Sequence, residues 1–181
     1  MAIGATIYNL DVNLSNVDRN TYETLAIKVA RHPSETEEYL LTRVLAYCLE
    51  YAEGISFSPG LADPGEPAIA VRDLTGALKA WIDIGAPDAD RVHKASKAAP
   101  RVAIYTHRDP QSLLRLWGTS RIHKAAQVEL YGVDQGLLAE LVPRLDRRMT
   151  WDLSVTEGHL YLSVAGVTLE GDVSRTPLAA S

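Results

Sequence analysis

Two carboxylates, Glu66 and Asp83, stand at opposite ends of a candidate β-hairpin, where they could form one acidic site. The arms, residues 66–73 and 77–84, carry strand-favouring residues around the turn signal Asp73–Gly76. If the ends of that turn pair across a two-residue loop, Glu66 lies directly opposite Asp83, with Cβ atoms about 5 Å apart. Adjacent carboxylates repel unless a cation or a shared proton relieves them. This register therefore predicts a divalent-metal site.

A second register is compatible with the same turn. Asp at the first turn position and Gly at the fourth also suit a type I turn followed by a bulge. That turn would shift the pairing by one residue and send the two carboxylates to opposite faces of the sheet. The sequence leaves both registers open, and the register decides whether the two carboxylates meet.

Length and composition limit the class of protein. With 181 residues, of which 46% are hydrophobic and 23% charged, the chain can bury a sizeable core. We expect one domain over residues 1–171 and a flexible tail over 172–181. No apolar run is long enough to cross a bilayer, and the N-terminus lacks a basic flank and a cleavage pattern, so we expect a cytoplasmic protein with no membrane partner. The single cysteine, Cys48, falls in a helical apolar pattern and is predicted to be a buried thiol.

The charge and the absence of common motifs exclude several functions. A net charge of −5 argues against bulk, nonspecific coating of nucleic acid but allows a local basic groove. The five histidines show no metal-ligand spacing, and the chain carries no nucleophile elbow and no Walker phosphate-binding loop.

The elements that must position the acidic pair form a mixed α/β pattern. Alternating residues over 5–14 and 22–30 predict a long N-terminal hairpin. A helix follows, with Ser34 as its N-cap and Glu37 completing a capping box. A second helix is expected from Pro87–Asp88 to about Ala99. Further along the chain the pattern predicts a strand at 101–106, a helix around 111–117, a strand around 126–131, a helix around 135–145 and a closing β-meander over 150–169.

Glu38 is a third acidic candidate. It lies on the same helical stripe as Leu41 and Leu45, where an unpaired carboxylate would cost several kcal/mol. The Glu38 carboxylate is therefore expected to have a partner that compensates its charge. Either it joins the acidic site, or it forms an internal ion pair with Arg31 or Arg72.

Several segments together resemble the bacterial YaeQ family over nearly the whole chain. They are Ala30-Arg31-His32-Pro33-Ser34-Glu35-Thr36, Phe57-Ser58-Pro59-Gly60-Leu61, Glu66-Pro67, Trp81-Ile82-Asp83-Ile84-Gly85-Ala86-Pro87-Asp88 and Lys94-Ala95. Proteins of that family are similar to a variant of the PD-(D/E)XK nuclease fold. The resemblance implies a mixed central sheet flanked by helices, with an αβββαβ core between the N-terminal hairpin and the C-terminal meander.

The resemblance also implies site residues. Glu66 would hold the first acidic position of the nuclease pattern, and Asp83 would be the acidic residue of the (D/E)XK strand. Gly85 stands where that motif has lysine, so Lys94 on the next helix would supply the cation. A cation from a neighbouring helix can serve the same point in space. Glu66 and Asp83 would bind Mg²⁺, with Glu38 assisting.

The functional expectation is a Mg²⁺-dependent nuclease that acts on the phosphodiester bonds of DNA or RNA. In it, Glu38, Glu66, Asp83 and Lys94 are the catalytic candidates. The alternative is a noncatalytic module on the same fold that binds nucleic acid or a protein. Such a module would use the basic surface formed by Arg91, Lys97, Arg108 and Arg121.

Overall fold

A long antiparallel hairpin begins the described chain, as the alternating residues predict. The computed structural model describes residues 4–58 and 65–178. The strands are β1 (Thr6–Asn16), β2 (Thr21–Arg31), β3 (Ile55–Phe57), β4 (Ile69–Arg72), β5 (Leu78–Ile84), β6 (Val102–Thr106), β7 (Glu129–Val133), β8 (Arg148–Thr156), β9 (His159–Val164) and β10 (Val167–Thr176). The helices are α1 (Glu37–Leu49), α2 (Ala89–Ala98), α3 (Pro110–Trp117) and α4 (Gln135–Leu141), with 3₁₀ turns at Ala125–Gln127 and Val142–Arg144.

These strands form one large, nearly closed mixed sheet in a single α/β domain. Their order is β2-β1-β8-β9-β10-β7-β6-β5-β4-β3. Three neighbouring pairs are parallel, namely β1 with β8, β5 with β6, and β6 with β7. Strands β2 and β3 are the two edges, and the space between them is called the seam below.

Helix α1 lies inside the curve of this sheet. Residues 40–46 are all buried, and they share one hydrophobic core with inward-facing side chains such as Leu10, Ile82 and Trp151. A helix enclosed on all sides is expected to be apolar all round, and Arg43 is the one charged residue in this buried stretch. Helices α2 and α3 cover the other face of β5–β7 through a second core that includes Trp81 and Ile104.

The first turn of α1 differs from the sequence prediction. The N-cap is Thr36, whose hydroxyl accepts a hydrogen bond from the Tyr39 amide at 3.1 Å. Ser34 instead lies 2.8 Å from His32 Nδ1, inside a turn in which the Glu35 amide donates to the His32 carbonyl. Residues 32–35 form that turn before the helix begins, so the predicted Ser34–Glu37 capping box does not form.

The register of the β4–β5 hairpin also differs. The Asp73 amide donates to the Ala77 carbonyl at 3.0 Å, and Gly76 has a φ of +86°, so the bulged turn forms rather than the two-residue loop. A further shift lies between Val71 and Arg72. The two shifts pair Ile69 with Ile82, so position 68 comes opposite Asp83 and Glu66 precedes the strand. The predicted Glu66–Asp83 cross-strand pair is therefore wrong.

The C-terminal segment is more ordered than expected. Asp172–Thr176, expected to belong to a flexible tail, continues β10, and Val173 pairs with Val133 of β7. Cys48 is buried, and burial raises the pKa of its thiol to about 12, as suits a structural side chain. Within the described ranges, no helix is long and apolar enough to cross a membrane.

Candidate functional site

A cavity of about 430 Å³ opens at the carboxyl ends of the parallel strands β5 and β6. This edge of an α/β sheet is where such folds commonly bind ligands. The first turns of α1 and α2 border the cavity, and the residues after β6 complete it. Its polar lining includes Tyr39, Arg43, Glu66, Asp83, Arg91, His107 and Arg108. We call it the main cavity.

Local sequence explains how the strand ends meet there. Asp83 is the penultimate residue of β5, and Gly85 follows with a φ of +86°, which turns the chain toward α2. A Cβ atom at Gly85 would lie 3.1 Å from the Tyr39 ring, so glycine also lets α1 approach this turn. His107 and Arg108 follow β6 directly and reach the same edge.

Asp83 is held by Arg91 in a bidentate ion pair. Arg91 Nε lies 2.7 Å from Oδ2, and Arg91 Nη2 lies 3.0 Å from Oδ1. The Ala68 amide donates to Oδ1 at 3.3 Å, and Arg91 Nη2 donates to the Glu66 carbonyl at 2.7 Å. Asp83 is only 3% exposed. Burial lowers the pKa of Arg91, but the hydrogen bonds and charge of Asp83 raise it above its ordinary value, so the guanidinium stays charged.

Glu66 joins the site mainly through its backbone. Its carboxylate is 47% exposed and lies 3.5 Å from Arg72 Nη2, on the rim of the main cavity. Both oxygens of Asp83 are meanwhile engaged by Arg91. Among the described residues, no group of three acidic, histidine or cysteine side chains is arranged to hold a metal ion. The two carboxylates line one cavity, but they do not form a metal site in this arrangement.

Glu38 and Lys94 lie outside the lining of the main cavity. Burial lowers the pKa of His107 and the charge of Arg108 lowers it further, while the charge of Glu38 opposes both, which places Glu38 near His107. Neither predicted arginine pairs with Glu38, because Arg31 donates to the Glu35 carbonyl and Arg72 pairs with Glu66.

Lys94 is exposed on α2, and the cation that pairs with Asp83 is Arg91, one turn earlier. The sequence alone places Arg91 in the predicted basic surface. Its spacing in the helix could have indicated an inward position. Arg91 precedes Ala95 by four residues and so lies on the helix face that carries this buried alanine.

Arg43 and Glu35 form a second, largely buried ion pair. Their side chains are 10% and 13% exposed, and Arg43 Nη2 lies 3.1 Å from Glu35 Oε2. The contact lacks good hydrogen-bond geometry, and both Glu35 Oε2 and Arg43 Nε are buried without a hydrogen-bond partner. Arg43 also donates to the Ala30 carbonyl at 2.6 Å. Its charge is thus enclosed but incompletely hydrogen-bonded.

Two neutral side chains lie beside these charges. His107 Nδ1 is buried without a hydrogen-bond partner, and the lowered pKa of His107 favours the neutral imidazole at pH 7. Burial raises the pKa of Tyr39, whose ring meets His107 edge-on at 6.3 Å. Both groups can therefore donate or accept one hydrogen bond inside the cavity without a change of charge.

The fold and the site together define a mixed α/β protein with a recessed cavity of paired arginines and carboxylates. The model of the YaeQ protein family matches residues 1–173, and the chain belongs to this family. The predicted membership is thereby confirmed.

Relatives share nearly the full length of the chain. A Salmonella typhi protein described as uncharacterized protein YaeQ is 35% identical over 173 residues, which cover 94% of each chain. The Escherichia coli K12 counterpart is 34% identical and covers 90% of this chain and 91% of its own. The crystal structure of YaeQ from Pseudomonas syringae superposes with a TM-score of 0.84 at 30% identity, covering 94% of this chain and 95% of its own. That of YaeQ from Xanthomonas axonopodis pv. citri gives a TM-score of 0.86 at 25% identity, covering 97% and 99%.

Proposed function

We propose that the main cavity binds a phosphate group of a nucleic-acid strand. The observation that carries this proposal is the convergence of Arg43, Arg91 and Arg108 on one recessed cavity in a protein whose net charge is −5. Guanidinium groups match the planar, bidentate geometry of phosphate oxygens. The first turns of α1 and α2 border the same space, and helix N-termini add partial positive charge.

The ion pairs of the lining, counted with that between Glu66 and Arg72 outside it, leave one cation available. Glu35 and Asp83 are neutralised by Arg43 and Arg91, and the carboxylate of Glu66 lies beside Arg72. Arg108 is exposed and has no ion-pair partner in the described part of the chain. An anion entering the cavity would therefore meet Arg108 without first displacing a carboxylate.

The order of elements supports nucleic acid as the ligand by analogy. The run α1-β3-β4-β5-α2-β6 has the αβββαβ order of the PD-(D/E)XK nuclease core, with Asp83 on the third of these strands. We propose that this region is a variant of that core. A fold does not fix an activity, so this support is analogy, and the site geometry carries the proposal.

Mg²⁺-dependent cleavage of the same phosphodiester is a second candidate. It is favoured by the presence of Glu66 and Asp83 in one cavity. As arranged, these residues do not fit a metal ion, because Arg91 engages both carboxylate oxygens of Asp83 and the Glu66 carboxylate lies beside Arg72. Lys94 is exposed and outside the lining. Binding without turnover therefore agrees better with the geometry.

Arg108→Gln is the best variant for a binding test, because the exposed side chain can be changed without breaking an ion pair. Fluorescence anisotropy with a labelled oligonucleotide in EDTA should show weaker binding. The slope of log K against log salt should also fall by about 0.7 for a single strand. Arg148→Gln, on an exposed position of β8 outside the main cavity, is the matched control and should leave both quantities unchanged.

The same oligonucleotide with Mg²⁺ or Mn²⁺ tests the second candidate. Cleavage that Asp83→Asn abolishes, in a variant that urea denaturation shows to be folded, would support a nuclease. Cleavage that survives this change would come from another source. Equal binding by the parent chain and by Arg108→Gln would contradict the placement of the phosphate in the main cavity.

A further inference from the structure

A second cavity, of about 480 Å³, lies in the seam between the two edge strands. Residues 28–30 of β2 line one side of it, and residues 57–58 at the end of β3 line the other. Glu35, Arg43 and Ser58 line both this seam cavity and the main cavity. The two cavities are therefore neighbours, and the Glu35–Arg43 ion pair forms their common wall.

Arg43 occupies the position where a further strand would pair with β2. Its Nη2 donates to the Ala30 carbonyl at 2.6 Å, a group that faces the seam at the sheet edge. Its guanidinium lies 6.0 Å from the Tyr39 ring centre and 5.9 Å from that of Phe57. Phe57 in turn stacks on Tyr47 at 4.4 Å. Contacts on several sides thus fix one cationic group between the two cavities.

Each cavity also has one cation without an ion-pair partner among the described residues. Lys28 lines the seam cavity, Arg108 lines the main cavity, and both are exposed. Arg43, between the two cavities, and Arg91, in the main cavity, are already paired with carboxylates. A single phosphate could approach only one of the two unpaired cations. A ligand with consecutive phosphates could approach both.

We infer that the two cavities form one track for single-stranded nucleic acid, with neighbouring nucleotides in the main cavity and the seam cavity. This inference rests on the proposed function and specifies its substrate class. Both volumes fall in the range of about 300–1,000 Å³ that holds a small-molecule-sized ligand. A duplex, whose bases are paired inside it, cannot place successive nucleotides in recessed cavities. Single strands can, using cationic grooves with aromatic side chains.

An acidic peptide is the competing occupant, and the seam does not favour it. An extended peptide binds a sheet edge through main-chain hydrogen bonds. At the seam, Arg43 already occupies the Ala30 carbonyl that such a peptide would need. Nucleic acid has no such requirement, because its contacts run through phosphates and base faces.

The test is a length series read by fluorescence anisotropy in EDTA. The ligands are thymidine monophosphate as a competitor, a short oligothymidylate, and a blunt hairpin duplex. We expect the oligothymidylate to bind at least about tenfold more tightly than the monophosphate, as for linked contacts on one ligand, and the duplex to bind no better than the monophosphate. Lys28→Gln should lower oligothymidylate affinity and reduce its salt slope by about 0.7, without changing monophosphate binding. Arg148→Gln, outside both cavities, is the control.

Failure of this inference differs from failure of the proposed function. Monophosphate binding with no gain from length, or equal binding of the duplex, would overturn the single-strand track and leave the phosphate site in place. An equal loss of affinity for monophosphate and oligothymidylate in Lys28→Gln would also overturn the track. Polyglutamate, a model acidic peptide, would do so as well if it competed as strongly as unlabelled oligothymidylate. No binding of monophosphate or oligothymidylate would overturn both proposals.

Discussion

Arg91 engages both carboxylate oxygens of Asp83, at 2.7 and 3.0 Å, in the wall of the main cavity. This relationship changes the meaning of the most conspicuous acidic residue in the sequence. A carboxylate that looked like half of a metal site is already neutralised by a guanidinium from the next helix. It therefore acts first as the group that anchors Arg91 at the cavity.

The Asp83–Arg91 pair predicts that Asp83→Asn destabilises the fold, whereas two adjacent carboxylates would predict the opposite. If Asp83 faced another carboxylate, Asp83→Asn would leave the fold intact or stabilise it. In this structure the same change leaves Arg91 without its counter-charge, at a cost of about 3 kcal/mol, the low end for a buried pair because Arg91 is 21% exposed. Urea denaturation measures this. Glu66→Gln breaks only an exposed pair and should stay within about 1 kcal/mol.

The first turn of α1 gives a paired test of the helix start. Thr36→Ala removes the acceptor for the Tyr39 amide and should cost about 1 kcal/mol in the free energy of unfolding. Ser34→Ala removes only an exposed contact with His32 and should cost no more than about 0.5 kcal/mol. Thermal or urea unfolding of both variants measures the difference. The reverse ranking would show that the helix begins earlier.

Gly85 tests how closely α1 approaches the end of β5. Gly85→Ala places a side chain at a φ of +86° and 3.1 Å from the Tyr39 ring. Gly76→Ala meets the same φ of +86° but open space, so it is the matched control. The backbone cost common to both is about 1–2 kcal/mol. Gly85→Ala should exceed it in urea denaturation, and equal losses would mean that Tyr39 moves aside without cost.

A charge cluster at the other end of α1 predicts acid sensitivity. The Glu50 carboxylate is fully buried and accepts hydrogen bonds from Arg19, Arg101 and Tyr105. Burial raises the pKa of Glu50, but the hydrogen bonds and charge of Arg101, joined by Arg19, outweigh it and leave the pKa below its ordinary value of 4.5. Stability from this group is therefore complete above about pH 4.5 and is lost as the pH falls through the lowered folded-state pKa.

Glu50→Gln tests this assignment. The change removes the counter-charge of Arg19 and one of the two carboxylates that pair with Arg101. Because these arginines are 37% and 31% exposed and Arg101 keeps Glu129, the cost should be about 2–3 kcal/mol at pH 7. The variant should also lose part of the fall in stability that the parent chain shows below about pH 4.5. Urea denaturation at several pH values measures both effects. An unchanged acid limb would assign the titration to another carboxylate such as Glu129, whose pKa is also lowered.

Local patterns in the sequence determined much of the fold. The alternation in the first thirty residues produced the long β1–β2 hairpin, because a period of two fixes which face is buried. Asp88 caps α2 where a helix was expected, since its side chain can accept from the Arg91 amide without help from distant residues. Motifs spread along the chain were specific enough to indicate the family.

The tertiary structure decided what these patterns left open. The turn sequence allowed two registers, and the bulged turn plus a further shift moved Glu66 away from Asp83. The cation beside Asp83 was set by how α2 packs on β5, which selected Arg91 over Lys94. The Glu50 cluster bonds Glu50 to a residue 55 positions further along the chain. Register and charge pairing depend on the three-dimensional packing of distant segments, and periodicity within one segment carries no information about that packing.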